Sequence, residues 1–516
     1  MSLWMLTVLL VVAAPERTPL MVPGGVVVHV DPALPFAPPS SAAEDPPLSL
    51  AELAAGERAW LSYAAARGEP FGIPARLHRQ GGAELSHDVL AWVLERVNRL
   101  FPTGLLPAPK TGLPIGVVED AAAGQVLTQS CAVCHTGRVN GHVIPGVANK
   151  FYNQKLMFQS SRVLLTAASR AARMELGLPL ASGAEIDAQL ARLKRYEALQ
   201  NDGCEKDLSP GVVTGVRIWH VSSGTLTDTR QLETAQGRAQ FPCGVVKIPP
   251  TNNLRFRNLF FWDGSINTSW PVRWPVLDFL GVSRVEAWQE AVADPQMRAL
   301  EKFMIFGTRS PSWEEVMETP LDQQRADRGF TRFHAPASCA SCHGTHDAGG
   351  MLTAYVPQVT PLDVVRTDPE RVDAVSTTVL AAFSRVPGAH LPGSAGERIQ
   401  GYVAAPLCSP FLHYPYLHTG AVPTLHELLL PEANRSRIHY LGETIERVNV
   451  GYFTPATFPR GILGGPARSN FMHRKVPQRL LAGHSGERFG TTLNDDGRRE
   501  LLEYLKTLRC PPAVEK

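Results

Sequence analysis

The pentapeptide Cys131-Ala-Val-Cys134-His135 recurs 208 residues later as Cys339-Ala-Ser-Cys342-His343, and no other feature restricts the fold as tightly. Two thiols three positions apart, followed at once by His, form the attachment pattern of c-type haem. Each thiol can make a thioether with one vinyl group of the porphyrin. The next residue then presents its imidazole to the iron as the proximal ligand. A zinc site would need a second ligand pair close by, which two pairs in separate repeats do not supply. A thioredoxin-like pair sits at a strand-to-helix junction, whereas both pairs here read as following helical stretches. The expectation is two covalently bound haem c groups, attached at Cys131, Cys134, Cys339 and Cys342, with His135 and His343 as metal ligands.

The flanks repeat as well. Ala123 to Gly137 echoes Arg328 to Gly344, which predicts two similar domains with a boundary near residues 290 to 320. The expected division is an N-terminal c-type haem domain over 48–300 with a helical insertion, then a C-terminal c-type haem domain over 301–516. At 516 residues the chain exceeds one ordinary domain. Its 43 Gly and 43 Pro demand many turns and irregular connections. The fold class that follows is mainly α: two cytochrome-c-like haem domains with long loops and little β. A net charge of +2 makes no electrostatic case for nucleic acid.

Leu3 to Val12 is an apolar run of signal-peptide length followed by the small Ala13 and Ala14, so residues 1–14 are expected to be a signal peptide. A buried first strand is the alternative. Residues 15–47 read as an extended lead-in. No stretch approaches the length of a stable membrane span, and the expected location is periplasmic or secreted.

Ser49-Leu-Ala-Glu52 is a capping box that opens a helix carrying Leu53, Trp60 and Leu61. Further helices are predicted from Ser86 to Phe101 and from Ser182 to Glu197. Gln154 to Leu176 is a third apolar stretch, between those two. A last helix is capped by Asn494, with Leu501, Leu505 and Leu508 on one face. Asn201 to Asn267 reads as short strands and loops. The remaining cysteines, Cys204, Cys243, Cys408 and Cys510, can form two bridges in an oxidising compartment. Four cysteines allow three connectivities; Cys204–Cys243 with Cys408–Cys510 is the one that keeps each bridge within a domain.

The sixth position at each iron decides function, since two strong protein ligands suit electron transfer and an open position admits O2 or peroxide. Three segments bear on this. They are Asn252 to Gly264, ending Phe261-Trp262-Asp263-Gly264; Pro415-Tyr416-Leu-His418-Thr-Gly420; and Ala482-Gly483-His484 ahead of Phe489-Gly490-Thr491. With the haem motifs, they make residues 120 to 508 resemble the bacterial di-haem cytochrome c peroxidase superfamily, which includes MauG and the rubber oxygenases. The resemblance implies that Trp262, next to Phe261, mediates electron transfer between the haems. In the peroxidases Met, and in MauG Tyr, follows the Pro-Tyr-x-His-x-Gly segment as distal ligand. Here Ala421 to Asn434 contain neither, and Tyr440 and Met472 come later. His484 resembles the rubber-oxygenase pattern, in which such a His closes a bis-His haem. Met472 is its rival.

By that resemblance haem one, on His135, is the reactive one. Peroxide cleavage requires a proton-transferring group over its open face. Ser265 to Leu280 is aromatic and apolar, with Asp278 its only carboxylate, which suits O2 and an apolar substrate better. His220 or Glu205 in the pocket would change that. The function implied is a di-haem c-type oxidoreductase, an O2-activating dioxygenase nearest the rubber oxygenases. Its partners would be O2 or H2O2, an apolar small molecule or polymer, and a small redox protein as donor. The alternatives are a di-haem peroxidase reducing H2O2 and an electron carrier without catalysis, the last using Met157, His142 or His220 at haem one.

Overall fold

The computed structural model describes residues 49–63, 73–74, 104–106, 113–120, 126–173, 183–204, 208–222, 225–257, 259–264, 293–375, 400–442, 445–458 and 472–512. Among them, helices dominate and strands are short, paired antiparallel in one three-stranded sheet and five two-stranded ribbons. The signal and lead-in segments, the helix expected at 86–101, Glu205 and the 265–280 stretch lie outside the described residues.

The capping signals act where expected. Ser49 accepts from the Glu52 N–H, and the Glu52 carboxylate accepts from the Ser49 N–H, so two otherwise unpaired donors of helix Leu50–Ser62 are satisfied. Its Trp60 is fully buried against Phe303, the kind of burial worth about 2–3 kcal/mol. The helix packs on Pro295–Lys302. Gln154–Arg173 packs on Gly183–Asn201. Asn494 caps the last helix, Asp495–Thr507, by accepting from the Gly497 N–H.

That last helix lies against Gln323–Phe333, which leads into the second Cys-x-x-Cys-His segment. The approach is close: a Cβ on Gly329 would stand 2.1 Å from the Glu500 carbonyl oxygen. Arg328 and Arg332 both reach the Glu500 carboxylate at 2.6 Å and hold its pKa below the usual range.

Two local expectations are corrected. Val126–Gln129, just before Cys131, is a strand between Val117–Asp120 and Ile73–Pro74 rather than the end of a helix. The Val-Leu-Thr run has the branched side chains a strand prefers, and its partners are too distant in sequence to be seen locally. The first thiol pair therefore does sit at a strand-to-helix junction. Gly215–Ser222, within the region read as strands and loops, is a helix. Val216, Arg217, Ile218 and His220 are buried, but at eight residues the helix is shorter than the window of about 11–18 residues in which a helical period can be read.

The core is shared along the chain. One cluster joins Trp60, Val216 and Phe260 to Met297, Phe303 and Val375. Another joins Val139, Ile144 and Val147 to Trp313, Phe333, Phe411 and Leu501. The disulfides are Cys204–Cys243 and Cys408–Cys510, the connectivity expected from the sequence. The four cysteines left free are those of the two Cys-x-x-Cys-His segments. No described helix is long and apolar enough to cross a membrane.

Candidate functional site

Each pentapeptide forms one short helical turn, Ala132–His135 and Ala340–His343, followed by an antiparallel ribbon. In each, a backbone carbonyl anchors the histidine. Nδ1 of His135 lies 3.0 Å from the Pro249 oxygen, and Nδ1 of His343 lies 2.7 Å from the Ala405 oxygen. A carbonyl only accepts, so Nδ1 carries the proton and Nε2 keeps its lone pair. That is the orienting bond of a metal-ligating histidine. Burial pushes His135 down to about 4 and lowers His343 as well, so both imidazoles are neutral, as a metal requires.

Three of the thiols, Cys131, Cys134 and Cys339, are kept protonated by burial. Burial pushes Cys131 up to about 12 and Cys339 up to about 11, and raises Cys134 too. Thioredoxin-like and zinc-binding cysteines need the opposite, a stabilised thiolate. Among the described residues no three His, Cys, Asp or Glu side chains gather as a metal-ion site.

The second segment opens on a large apolar-walled cavity with about 1430 Å³ of free space, its mouth included. Cys339, Cys342 and His343 line it, and so does His484. His484 lies 141 residues beyond His343, and the two are close enough that charge on His343 opposes protonation of the His484 ring. Burial first, then His343, lowers His484 to about 3, and its Nδ1 has no hydrogen-bond partner.

The loop that carries His484 is held tightly. His484 has φ +51°, a left-handed conformation uncommon outside Gly, and its N–H donates to the Val365 oxygen at 2.8 Å. Gly483 precedes it at φ +92°, and a Cβ there would come within 2.5 Å of the Thr367 backbone. Arg435, 4% exposed, donates to the carbonyls of Leu481 (2.7 Å), Gly483 (2.7 Å) and His484 (3.0 Å). No sequence pattern pointed to Arg435.

Trp262 lines the same cavity. Its indole N–H donates to the Lys247 carbonyl at 3.0 Å, and its own carbonyl accepts from Val403. Phe261 adopts φ +60°, with the Arg371 guanidinium 5.6 Å from its ring centre. Arg371 is paired at 2.8 Å with Asp263, both fully buried. One strand and the turn after it thus hold two candidate residues: Lys247 accepts from Trp262, and Pro249, two residues on, accepts from His135.

The other candidates fall elsewhere. His220 Nδ1 lies 2.9 Å from the Thr225 hydroxyl, and its ring packs on Phe241. His142 lies 3.9 Å from the exposed Glu318. Met157 is buried in a cluster that includes Cys134. Tyr440 packs on Phe458. Met472 lies in a ribbon paired with Leu441, and its side chain is outside the described set. His418 stacks on Tyr402 at 4.1 Å, in the cavity wall. Sequence reasoning missed Lys247, although a Lys inside Val245-Val246-Lys247-Ile248 is an anomaly that could have been noticed.

No protein-family model matches the chain. An uncharacterized protein of Sinorhizobium fredii, y4iM, is 30% identical over 125 residues, which is 21% of this chain and 28% of that protein. The chain thus covers well under two thirds of that relative, and the similarity assigns no activity.

Proposed function

We propose that this chain is a periplasmic or secreted di-haem c-type oxidoreductase, built as two cytochrome-c-like haem domains that resemble the rubber-oxygenase branch of the di-haem peroxidase superfamily. Cys131, Cys134 and His135 would hold one haem; Cys339, Cys342, His343 and His484 would hold the other. The observation that carries the reading is the convergence of His343, His484 and two unpaired cysteines on a single apolar cavity.

Bound there, haem supplies one-electron redox chemistry and, at an iron with an open position, the activation of O2 or H2O2. The protein's part is orientation. Pro249 and Ala405 fix the histidine tautomers, and Arg435 and Val365 hold His484 in place. His484 in the same cavity as His343 suits the second centre to electron transfer, with Trp262 in the wall as the bridge. The first centre is then the reactive one, and a dioxygenase acting on an apolar unsaturated molecule or polymer is the activity. A small redox protein would supply electrons. A second reading is a pure electron carrier, in which Met157, buried in the cluster that Cys134 packs against, would close the first centre with its thioether.

Intact mass and optical and electron-spin spectra of the purified protein test these readings. Two haem masses, with one haem responding to O2 or CO and the other not, support the oxygenase. A response to H2O2 alone moves the function to peroxidase, and no response at either haem to the carrier. A protein without attached haem ends all three.

A further inference from the structure

Lys247 is a buried cation in an unusual setting. It is 8% exposed, and its ammonium donates to the carbonyls of His413 (2.6 Å) and Pro415 (2.8 Å). Among the described interactions no carboxylate pairs with it. The ionisable groups facing it are Lys150, His413, His418 and Tyr416, none of them a carboxylate. Instead its Nζ lies 5.4 Å from the Trp262 ring centre and 5.7 Å from that of Tyr416. The same residue's carbonyl accepts the Trp262 N–H. Main chain and side chain of one lysine therefore hold opposite features of one indole.

We propose that Lys247 is a positioning residue that keeps Trp262 hard to oxidise, so that electrons cross the indole without leaving a lasting radical on it. A cation over an aromatic face is attracted by the ring's electron density and is repelled once that density is withdrawn. Removing one electron from Trp262 places a positive charge beside the ammonium in a poorly screened interior. The indole proton offers no relief. Its acceptor is a carbonyl, which takes a hydrogen bond but is no base, so the proton stays on the ring. Burial pushes Lys247 down to about 7, and the restraint is therefore strongest below neutral pH.

This inference rests on the reading of Trp262 as the bridge. Its test uses a photochemical one-electron oxidant, a flash-generated ruthenium(III) polypyridyl complex, which gains the electron that the indole loses. The experiment therefore gives a result whatever the haems do. In the purified full-length protein at pH 6, Lys247→Met should raise the yield of indole radical at least about tenfold, and Lys247→Arg, which keeps the charge, should not. The added signal should vanish in Lys247→Met combined with Trp262→Phe. Should Lys247→Met fail to accumulate, Lys247→Gln retains a donor for the two carbonyls without the charge and carries the same expectation. An unchanged yield in the neutral variant overturns the inference, and so does a signal that survives loss of Trp262. Trp262→Phe alone, read as the rate of electron transfer between the haems, tests the bridge separately.

Discussion

Cys131–His135 and Cys339–His343 share a pattern, a helical turn, a following ribbon and a carbonyl on the histidine Nδ1, but they are set into the protein in opposite ways. The first is reached from a strand and packed inward: Ala132 and Val133 are 1% and 3% exposed, and Trp60 lies 6.4 Å from the His135 ring. Gly116, at φ +80°, crosses so close that a Cβ would stand 2.2 Å from the Val133 nitrogen. The second is reached from an amphipathic helix, has no fully buried residue in its turn, and places Arg488 3.4 Å from the Cys342 sulfur. Its cavity is also lined by His484. The same five residues can therefore sit in a tightly packed turn or in a more exposed one, while the cysteines and histidine of both remain half-buried.

The largest test of this contrast removes one attachment at a time. The double variants Cys131→Ala/Cys134→Ala and Cys339→Ala/Cys342→Ala should each lose one haem by intact mass and keep the other; loss of both from either variant would mean that the centres are not independent. Next, His484→Ala should convert one low-spin signal to high-spin and leave the other centre's spectrum unchanged. An unaltered spectrum would remove His484 as a ligand.

A smaller effect concerns acid. Burial holds His220 at about 4 and His413 and His418 at about 3, below the ordinary 6.5. Below pH 6.5 the unfolded chain binds protons that the folded chain refuses. Stability is therefore complete above that pH and falls as acidity rises toward the folded values, with a slope approaching about 1.4 kcal/mol per pH unit for each histidine. Chemical denaturation from pH 7.5 to 5 should show the loss, and His413→Gln should flatten it. Smallest is Asp322→Ala, which removes the N-cap of the helix feeding the second segment. It should cost about 1 kcal/mol in a denaturation curve without altering the first centre, which no such helix feeds.

The sites were partly legible in the chain. The helix caps at Ser49 and Asn494 depend on residues three apart, so local sequence carried them. The strand before Cys131 was misread because its partner strands lie at residues 73–74 and 117–120, and pairing rather than the run itself makes it a strand. Helix Gly215–Ser222 was missed because eight residues are too few for a helical period to stand out from its loop-rich surroundings.

By itself, the sequence determined where two thiols and an imidazole would share a helical turn, because that geometry follows from spacing along one chain. It also narrowed the remaining cysteines to three pairings. Tertiary structure alone decided that His484 shares a cavity with His343, that Arg435 locks the loop carrying His484, and that Pro249 and Ala405 set the histidine tautomers. It also placed the Lys247 ammonium over Trp262. Each of these depends on backbone oxygens or side chains brought together from distant parts of the chain, and carbonyls are alike in every residue, so no pattern of residue types can announce them.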